Sequence, residues 1–187
     1  MVPMNTIKIS DQADVSRVLA DAMERSHLTT VKAGKVLGYD QSSISKMKSG
    51  NMKLKIEDFP RLMKELKPGE AALLSFNFAS EITGHIIPST VSGELIRVDP
   101  YDLTGRVEDE IKQMIIAFND AADELRSMPS VVTDRRDVVE AFKQAYDVFK
   151  FLTNFFASLY STYPDENWQE MAYKRDRQVN KFPQRAI

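Results

Sequence analysis

Residues 28–50 read LTTVKAGKVLGYDQSSISKMKSG, and the architecture of the chain turns on this stretch. Two short amphipathic segments, Thr30–Leu37 and Gln41–Lys48, flank the turn Gly38-Tyr39-Asp40, and Gly50 closes the second. Gly38 directly follows the last apolar residue of the first segment, the place for a left-handed C-cap. Thr29 or Thr30 suits the N-cap of the first helix and Asp40 that of the second, because their oxygens accept from otherwise unpaired amides. Val31, Val36 and Leu37 turn one face of the first helix to a core, and Ile44 and Met47 do so for the second. That leaves Gln41, Ser42, Ser45 and Lys46 on the outer face. Gly34 inside the first helix costs about 1 kcal/mol relative to Ala, so it is expected where the second helix crosses close by.

Upstream, residues 11–26 are predicted to be a helix capped by Ser10, with Val15, Val18, Leu19, Ala22 and Met23 on one face. Beyond Gly50, Met52, Leu54 and Ile56 alternate with Lys53 and Lys55, which reads as an extended connection rather than a paired strand. Residues 57–66 make a further short helix with Pro60 in its first turn, and Pro68-Gly69 marks a break. Residues 70–82 form a helix with Ala71, Leu74, Phe78 and Ile82 on one face. Residues 84–104 hold Gly84, Pro88, Gly93 and Pro100 and read as an arm. A structureless loop of this length inside one domain is uncommon, so the arm is a boundary or packs across another subunit.

Residues 105–128 form a long helix in which Val107, Ile111, Met114, Phe118, Ala121, Leu125 and Met128 recur at coiled-coil spacing. Pro129 ends it, and the short connection returns the next helix, 134–163, antiparallel. Val138, Phe142, Tyr146, Phe149, Leu152, Phe156 and Leu159 line that helix in steps of three and four, with Phe155 and Tyr160 widening the apolar surface. A helix apolar nearly all round is usually buried. Its cover must come from the 70–82 helix, the C-terminal helix at 166–180 or a second subunit. The same aromatics could instead line a cavity, but at helical spacing they read as core or subunit interface: Phe118, Phe142, Phe149, Leu152, Phe155, Phe156 and Leu159. The tail from Lys174 to Arg185 is basic.

Composition bounds the chemistry. The chain has no Cys, which excludes disulfides and thiolate metal sites and fits a reducing cytoplasm. MVPMNTIKIS lacks the apolar run of a signal peptide, and the aromatic run at 148–160 is too short and too interrupted to span a bilayer. The net charge of −2 divides unevenly: residues 1–70 carry 12 Lys+Arg against 9 Asp+Glu, and residues 71–187 carry 13 against 18. A basic part joined to an acidic remainder suits a polyanion-binding module on a helical body. His27 and His85 are the only histidines and sit in no metal or triad spacing, the carboxylate pairs fall on polar helix faces, and no glycine-rich loop cradles phosphate. The chain is therefore not expected to be an enzyme, and no metal or cofactor is expected.

A 3–4-residue turn between two helices, with Gly in it, is the form of a helix-turn-helix. Residues 28–50 resemble the Cro/repressor-type (XRE) helix-turn-helix family without a gap: Leu28, Thr29, Leu37, Gly38, Ser43, Ile44, Ser45 and Gly50 fall on its pattern. Thr30 replaces the family's longer phosphate-holding residue, and Lys48 replaces a Glu. The resemblance implies that Gln41, Ser42, Ser45 and Lys46 face base edges, and that Thr30, Lys32, Ser43, Lys48, Lys53 and Lys55 hold phosphates. Residues 79–105 also resemble the arm of phage-associated regulators, in which a helix ending in E-x-T-G precedes a long acidic helix.

The expectation is an all-α protein. A helix-turn-helix DNA-binding domain occupies residues 8–68, a connecting helix and arm 69–104, and a helical-hairpin oligomerisation region 105–187. The expected function is a cytoplasmic, sequence-specific transcriptional regulator, a repressor of phage or mobile-element type. It would act on operator DNA as a homodimer or higher homo-oligomer, without a membrane and without a cofactor. The alternative is a protein-interaction module, such as an antitoxin or anti-repressor partner.

Overall fold

In the computed structural model the described residues are 9–90, 99–128 and 130–179. The chain is predominantly helical. Its described elements are β1 (Gln12–Ala13), α1 (Ser16–Arg25), α2 (Thr30–Leu37), α3 (Gln41–Lys48), β2 (Leu54–Lys55), α4 (Phe59–Met63), α5 (Pro68–Ile82), α6 (Pro100–Asp120), α7 (Ala122–Arg126), α8 (Arg136–Thr162) and α9 (Trp168–Val179).

The first core gathers apolar stripes from several short helices. Val15, Leu19, Ala22 and Met23 meet Ala33, Leu37, Ile44, Met47, Leu54 and Leu62, and α5 adds Leu74 and Phe78. Phe59 of α4 stacks on Phe78 with ring centroids 4.3 Å apart. Helices this short are marginal alone, so this shared burial is what stabilises them. Two expectations are corrected here. Leu54–Lys55 is not an unpaired connection: β2 pairs antiparallel with β1 in the register Gln12↔Lys55 and Ala13↔Leu54, and the Ile56 amide donates to the Asp11 carbonyl at 2.8 Å. The first helix therefore starts at Ser16, after the strand, rather than at residue 11.

Pro68, read as a break, and Pro100, read as part of the arm, both begin helices. Pro68 is the first residue of α5. Pro100 is the first residue of α6, behind an Asp99 side chain that accepts from the Asp102 amide. Proline has no amide hydrogen to lose at that position, and its fixed φ already suits a helix. The long helix thus starts five residues before the expected 105 and ends at Asp120, with α7 following. Its inner side is Leu103, Val107 and Ala117, continued by Ala121 just past its end, whereas Phe118 faces out.

α6 and α8 run antiparallel, since Glu110 lies near Asp147 while Ala121, further along α6, packs with Ala141 and Val138 near the start of α8. Ala117, Ala121 and Ala141 close their contact, with Val138 beside them. The other flank of α8 packs on α5 through small side chains. Gly69 lies so near Ser161 that a Cβ would run into it, and the Tyr146 hydroxyl donates to the His85 carbonyl at 3.2 Å. Ala157, Ser158, Thr153 and Asn154 are buried on α8. Their donors turn back to their own helix: Thr153 and Asn154 both donate to the Lys150 carbonyl, each at 2.8 Å, while the Asn154 Oδ1 is buried without a partner among the described residues. Helix α5 therefore touches both the first core and α8. Among the described residues no helix is long and apolar enough to cross a membrane.

Candidate nucleic-acid interface

Helix α2 begins where Thr29 Oγ1 accepts from the Lys32 amide at 3.2 Å. It ends at Gly38, whose φ of 79° puts it in the left-handed region. The Gly38 and Tyr39 amides both donate to the Gly34 carbonyl, at 2.8 and 2.9 Å. A Cβ on Gly34 would stand 2.6 Å from the Tyr39 carbonyl oxygen. Gly34 therefore makes room for the turn backbone, not for α3 itself as expected.

Helix α3 begins where Asp40 Oδ1 accepts from the Ser43 amide at 2.7 Å and from the Ser42 hydroxyl at 3.1 Å. The bonds from Ser43, and then that from Ser42, hold the Asp40 carboxyl below its ordinary value. Ile44 and Met47 are 1% and 2% exposed. Each such burial stabilises by about 1.5–3 kcal/mol, which fixes the rotation of α3 about its axis. At about 100° per residue, Gln41, Ser42, Ser45 and Lys46 share the outer arc, and all four are exposed.

Their head groups differ. The Gln41 amide and the Lys46 ammonium have no side-chain bond among the described residues. Ser42 donates to Asp40, and Ser45 donates to the Gln41 carbonyl at 3.0 Å. The free reach of the arc is thus concentrated in Gln41 and Lys46.

The expected phosphate-holding set is less uniform. Thr30 is half-buried at the first turn of α2, and Ser43 and Lys48 are half-buried on α3. Lys48 and Lys53 have no ion pair among the described residues. Lys32 Nζ lies 2.6 Å from Glu65 and Lys55 Nζ lies 3.5 Å from Glu57. The Lys55–Glu57 pair is largely exposed and contributes at most about 1 kcal/mol, whereas Glu65 is half-buried and holds Lys32 more firmly.

Sequence reasoning missed two features. Ser49 continues the outer arc by one more turn, and it joins the exposed Asn51, whose amide donates to Ser49 Oγ at 2.9 Å. Extending the 41, 42, 45, 46 spacing one more turn finds Ser49. The second is charge density. Residues 28–55 hold six lysines against one aspartate, a contrast that a count over residues 1–70 dilutes.

The turn is braced from behind. Asp58 is 2% exposed, accepts from the Tyr39 hydroxyl at 2.8 Å and pairs with Arg61. The bond to Asp58, then burial, raises the Tyr39 phenol above its ordinary value. Arg61 also reaches the Val36 carbonyl at 3.5 Å. α4 is thereby tied to the joint between α2 and α3.

The residues expected at a subunit interface lie elsewhere, on α6 and α8. Phe118, Phe142, Phe149 and Phe156 are exposed, and Leu152, Phe155 and Leu159 are half-buried. Trp168 of α9 packs against Tyr160 and Tyr163, with ring centroids 6.0 and 6.5 Å apart. Pro129, residues 91–98 of the arm, and Lys181 and Arg185 of the tail lie outside the described residues.

One cluster has the residue types of a hydrolytic triad. Ser80 Oγ lies 3.0 Å from His85 Nδ1, and His85 Nε2 lies 3.9 Å from Glu81. Ser80 is fully buried, so no substrate carbonyl can reach it. His85, with φ 65°, closes the end of α5 instead. In comparisons with protein-family models, curated proteins and solved structures, nothing matches this chain.

Proposed function

We propose that this protein is a sequence-specific DNA-binding transcriptional regulator, a repressor acting as a homo-oligomer on operator DNA. Residues 8–68 are its helix-turn-helix domain, residues 69–104 the connection, and residues 105–187 the oligomerisation region. The observation that carries the reading is the rotation of α3. Ile44 and Met47 are locked in the core, so Gln41, Ser42, Ser45 and Lys46 face outward from a lysine-rich segment.

A major groove about 12 Å wide admits one helix. Gln41 suits the paired donor and acceptor of adenine, and Lys46 suits the acceptors of guanine, at about 1–3 kcal/mol of discrimination for a good pair. Asp40 places a carboxylate at the start of α3, which repels phosphate. Backbone contact therefore falls on the first turn of α2, where Thr30 adds its hydroxyl to unpaired amides. Lys48 and Lys53 add charge on either side, Lys32 and Lys55 complete the set, and Ser43, whose amide is taken by Asp40, offers only its hydroxyl. The reading assigns no catalysis, metal or cofactor, and suits the cytoplasm of a cell or of a phage-infected host.

One copy offers few contacts, so useful affinity requires two half-sites. Four lysines on phosphates per copy give a slope of log K against log salt near −3.6, since each contributes about −0.9. The test is retardation of random duplex at ~50 and ~200 mM salt, a range over which such binding weakens steeply. The wild type should bind at the lower salt, and K46E/K48E should not. No retardation of wild type at micromolar concentration would refute the reading.

The second reading, a protein-interaction module such as an antitoxin or anti-repressor partner, draws on the exposed aromatic face of α8. There, charge reversal at Lys46 and Lys48 would leave function and partner binding unchanged.

A further inference from the structure

Burial on α8 is inverted. Its buried residues are mostly small or polar: Ala141, Thr153, Asn154, Ala157 and Ser158, with Val148 the larger apolar exception. Rings are outside: Phe142 is 67% exposed, Phe149 45% and Phe156 49%, and Phe118 of α6 is 43% exposed. From residue 138 to 163 the only charged side chains are Glu140, Lys143, Asp147 and Lys150. At about 100° per residue the four span about 80° of the helix surface, from about 100° to about 180° round from Phe149, and the rest of the surface, rings included, carries no charge. Across the α6–α8 contact, Gln113, Asp120, Asp137, Glu140 and Gln144 share one polar side. Phe118 and Ile115 lie on the opposite side of α6, toward the rings of α8.

We propose that this face is the seam between two copies of the chain, packed antiparallel about a two-fold axis at Phe149. Each copy contributes α6 and α8 to a four-helix bundle. Four observations select a second copy as the occupant. The rings recur at equal intervals of seven on either side of Phe149, so the stripe is its own complement under a two-fold, as an isologous interface requires. At ~200 Å² per ring, the four phenylalanines with Ile115 expose roughly 500 Å², which doubled over two copies reaches the ~1,000 Å² a specific interface needs. The face carries no charge with which to select a charged partner or a phosphate surface. The fourth observation is axial spacing, and it rests on the DNA-binding reading above.

The DNA-reading part of the chain hangs from the C-terminal end of α8, because α5 begins at Pro68–Gly69 against Ser161. Ser161 lies twelve residues beyond Phe149, or about 18 Å along the helix, so an antiparallel pair places the two copies of Ser161 about 36 Å apart. That is about one turn of DNA, the separation two recognition helices need. A parallel pair would bring both ends to one level with no axial separation.

The chain has no cysteine of its own, so single introduced thiols report the register directly. F149C should form a disulfide-linked dimer under mild oxidation. F142C and F156C should each stay unlinked alone and cross-link when mixed. Circular dichroism and sedimentation of each reduced variant accompany the measurement. Self-linking of F142C and of F156C would overturn the antiparallel register while leaving an oligomer in place. A wild-type dimer by sedimentation with no cross-link from any of the three would overturn the seam and leave the oligomer reading. A wild-type monomer at micromolar concentration with no cross-links would overturn both. DNA enters none of these measurements, so failure to bind DNA is read separately.

Discussion

Replacing Gly34 with Ala sets two known effects against each other. Helix propensity alone favours the change by about 1 kcal/mol in a helix interior. The added Cβ, however, would sit 2.6 Å from the Tyr39 carbonyl oxygen, with Asp40 backbone atoms 3.6 Å away. The obstacle is backbone, and it cannot retreat freely. The Tyr39 amide is bonded to Gly34 itself, the Tyr39 hydroxyl to the buried Asp58, and Asp40 caps α3. Overpacking a fixed neighbour costs about 1–3 kcal/mol, and loosening the bond to a buried carboxylate costs about 1–3 kcal/mol more. The sum exceeds the propensity gain, and G34A should lose about 2 kcal/mol. Gly105 on α6 is the control: a Cβ added there would meet nothing within 4 Å, and G105A should gain about 0.5–1 kcal/mol. Urea denaturation followed by circular dichroism gives both values. G34A as stable as wild type would refute the close approach of the turn, and with it the packing that fixes α3 on α2.

Further perturbations test other links of the chain. T29A removes the acceptor for the Lys32 amide and should cost about 1 kcal/mol in the same urea titration; an unchanged midpoint would show that the cap does not matter. E65Q frees the Lys32 ammonium from its pair and removes a negative charge, so affinity for random duplex should rise roughly two- to five-fold, equivalent to about 0.4–1 kcal/mol. Weaker binding would mean that Lys32 stays off the phosphates. Burial, and then Asp21, raise the Glu70 carboxyl above its ordinary value, and Arg25 only partly offsets this. A raised carboxyl favours folding while protonated, and that contribution is lost as pH rises through the folded value. E70Q should therefore melt higher than wild type at pH 7, with the gap closing toward pH 4; a gap that widens at low pH would contradict the assigned cause.

The lysine-rich joint was legible because its signals are local. Thr30–Leu37 and Gln41–Lys48 are the helices found, since Gly38, Thr29 and Asp40 act on residues no more than four away. Two other regions were not legible for different reasons. Pro68 and Pro100 break a helix in its interior and start one at its first position; the choice at Pro100 turned on Asp99 being free to cap. The pairing of β1 with β2 joins Gln12 to Lys55 through two residues on each strand, too short for alternation to register. The face of α8 was read as core or subunit interface from its aromatic spacing, which does not tell which rings the chain itself covers. Its contact with α5 follows size instead: Gly69 lies against Ser161, and the small Ala157 and Ser158 are buried beside it on α8. The rings were thereby left on the outside.

The proposed function stands or falls on α3 reading sequence from the major groove, and doing so in pairs. Repeated selection of bound duplexes from a randomised pool, sequenced for wild type and for Q41A, is the decisive measurement. Wild type should enrich an inverted repeat whose half-sites are centred about 10–10.5 base pairs apart. With Q41A, discrimination should relax at a single position of each half-site by about 1–3 kcal/mol. A wild-type pool that stays random after selection, or an enriched motif that Q41A, K46A and S45A all leave unchanged, would rule this reading out.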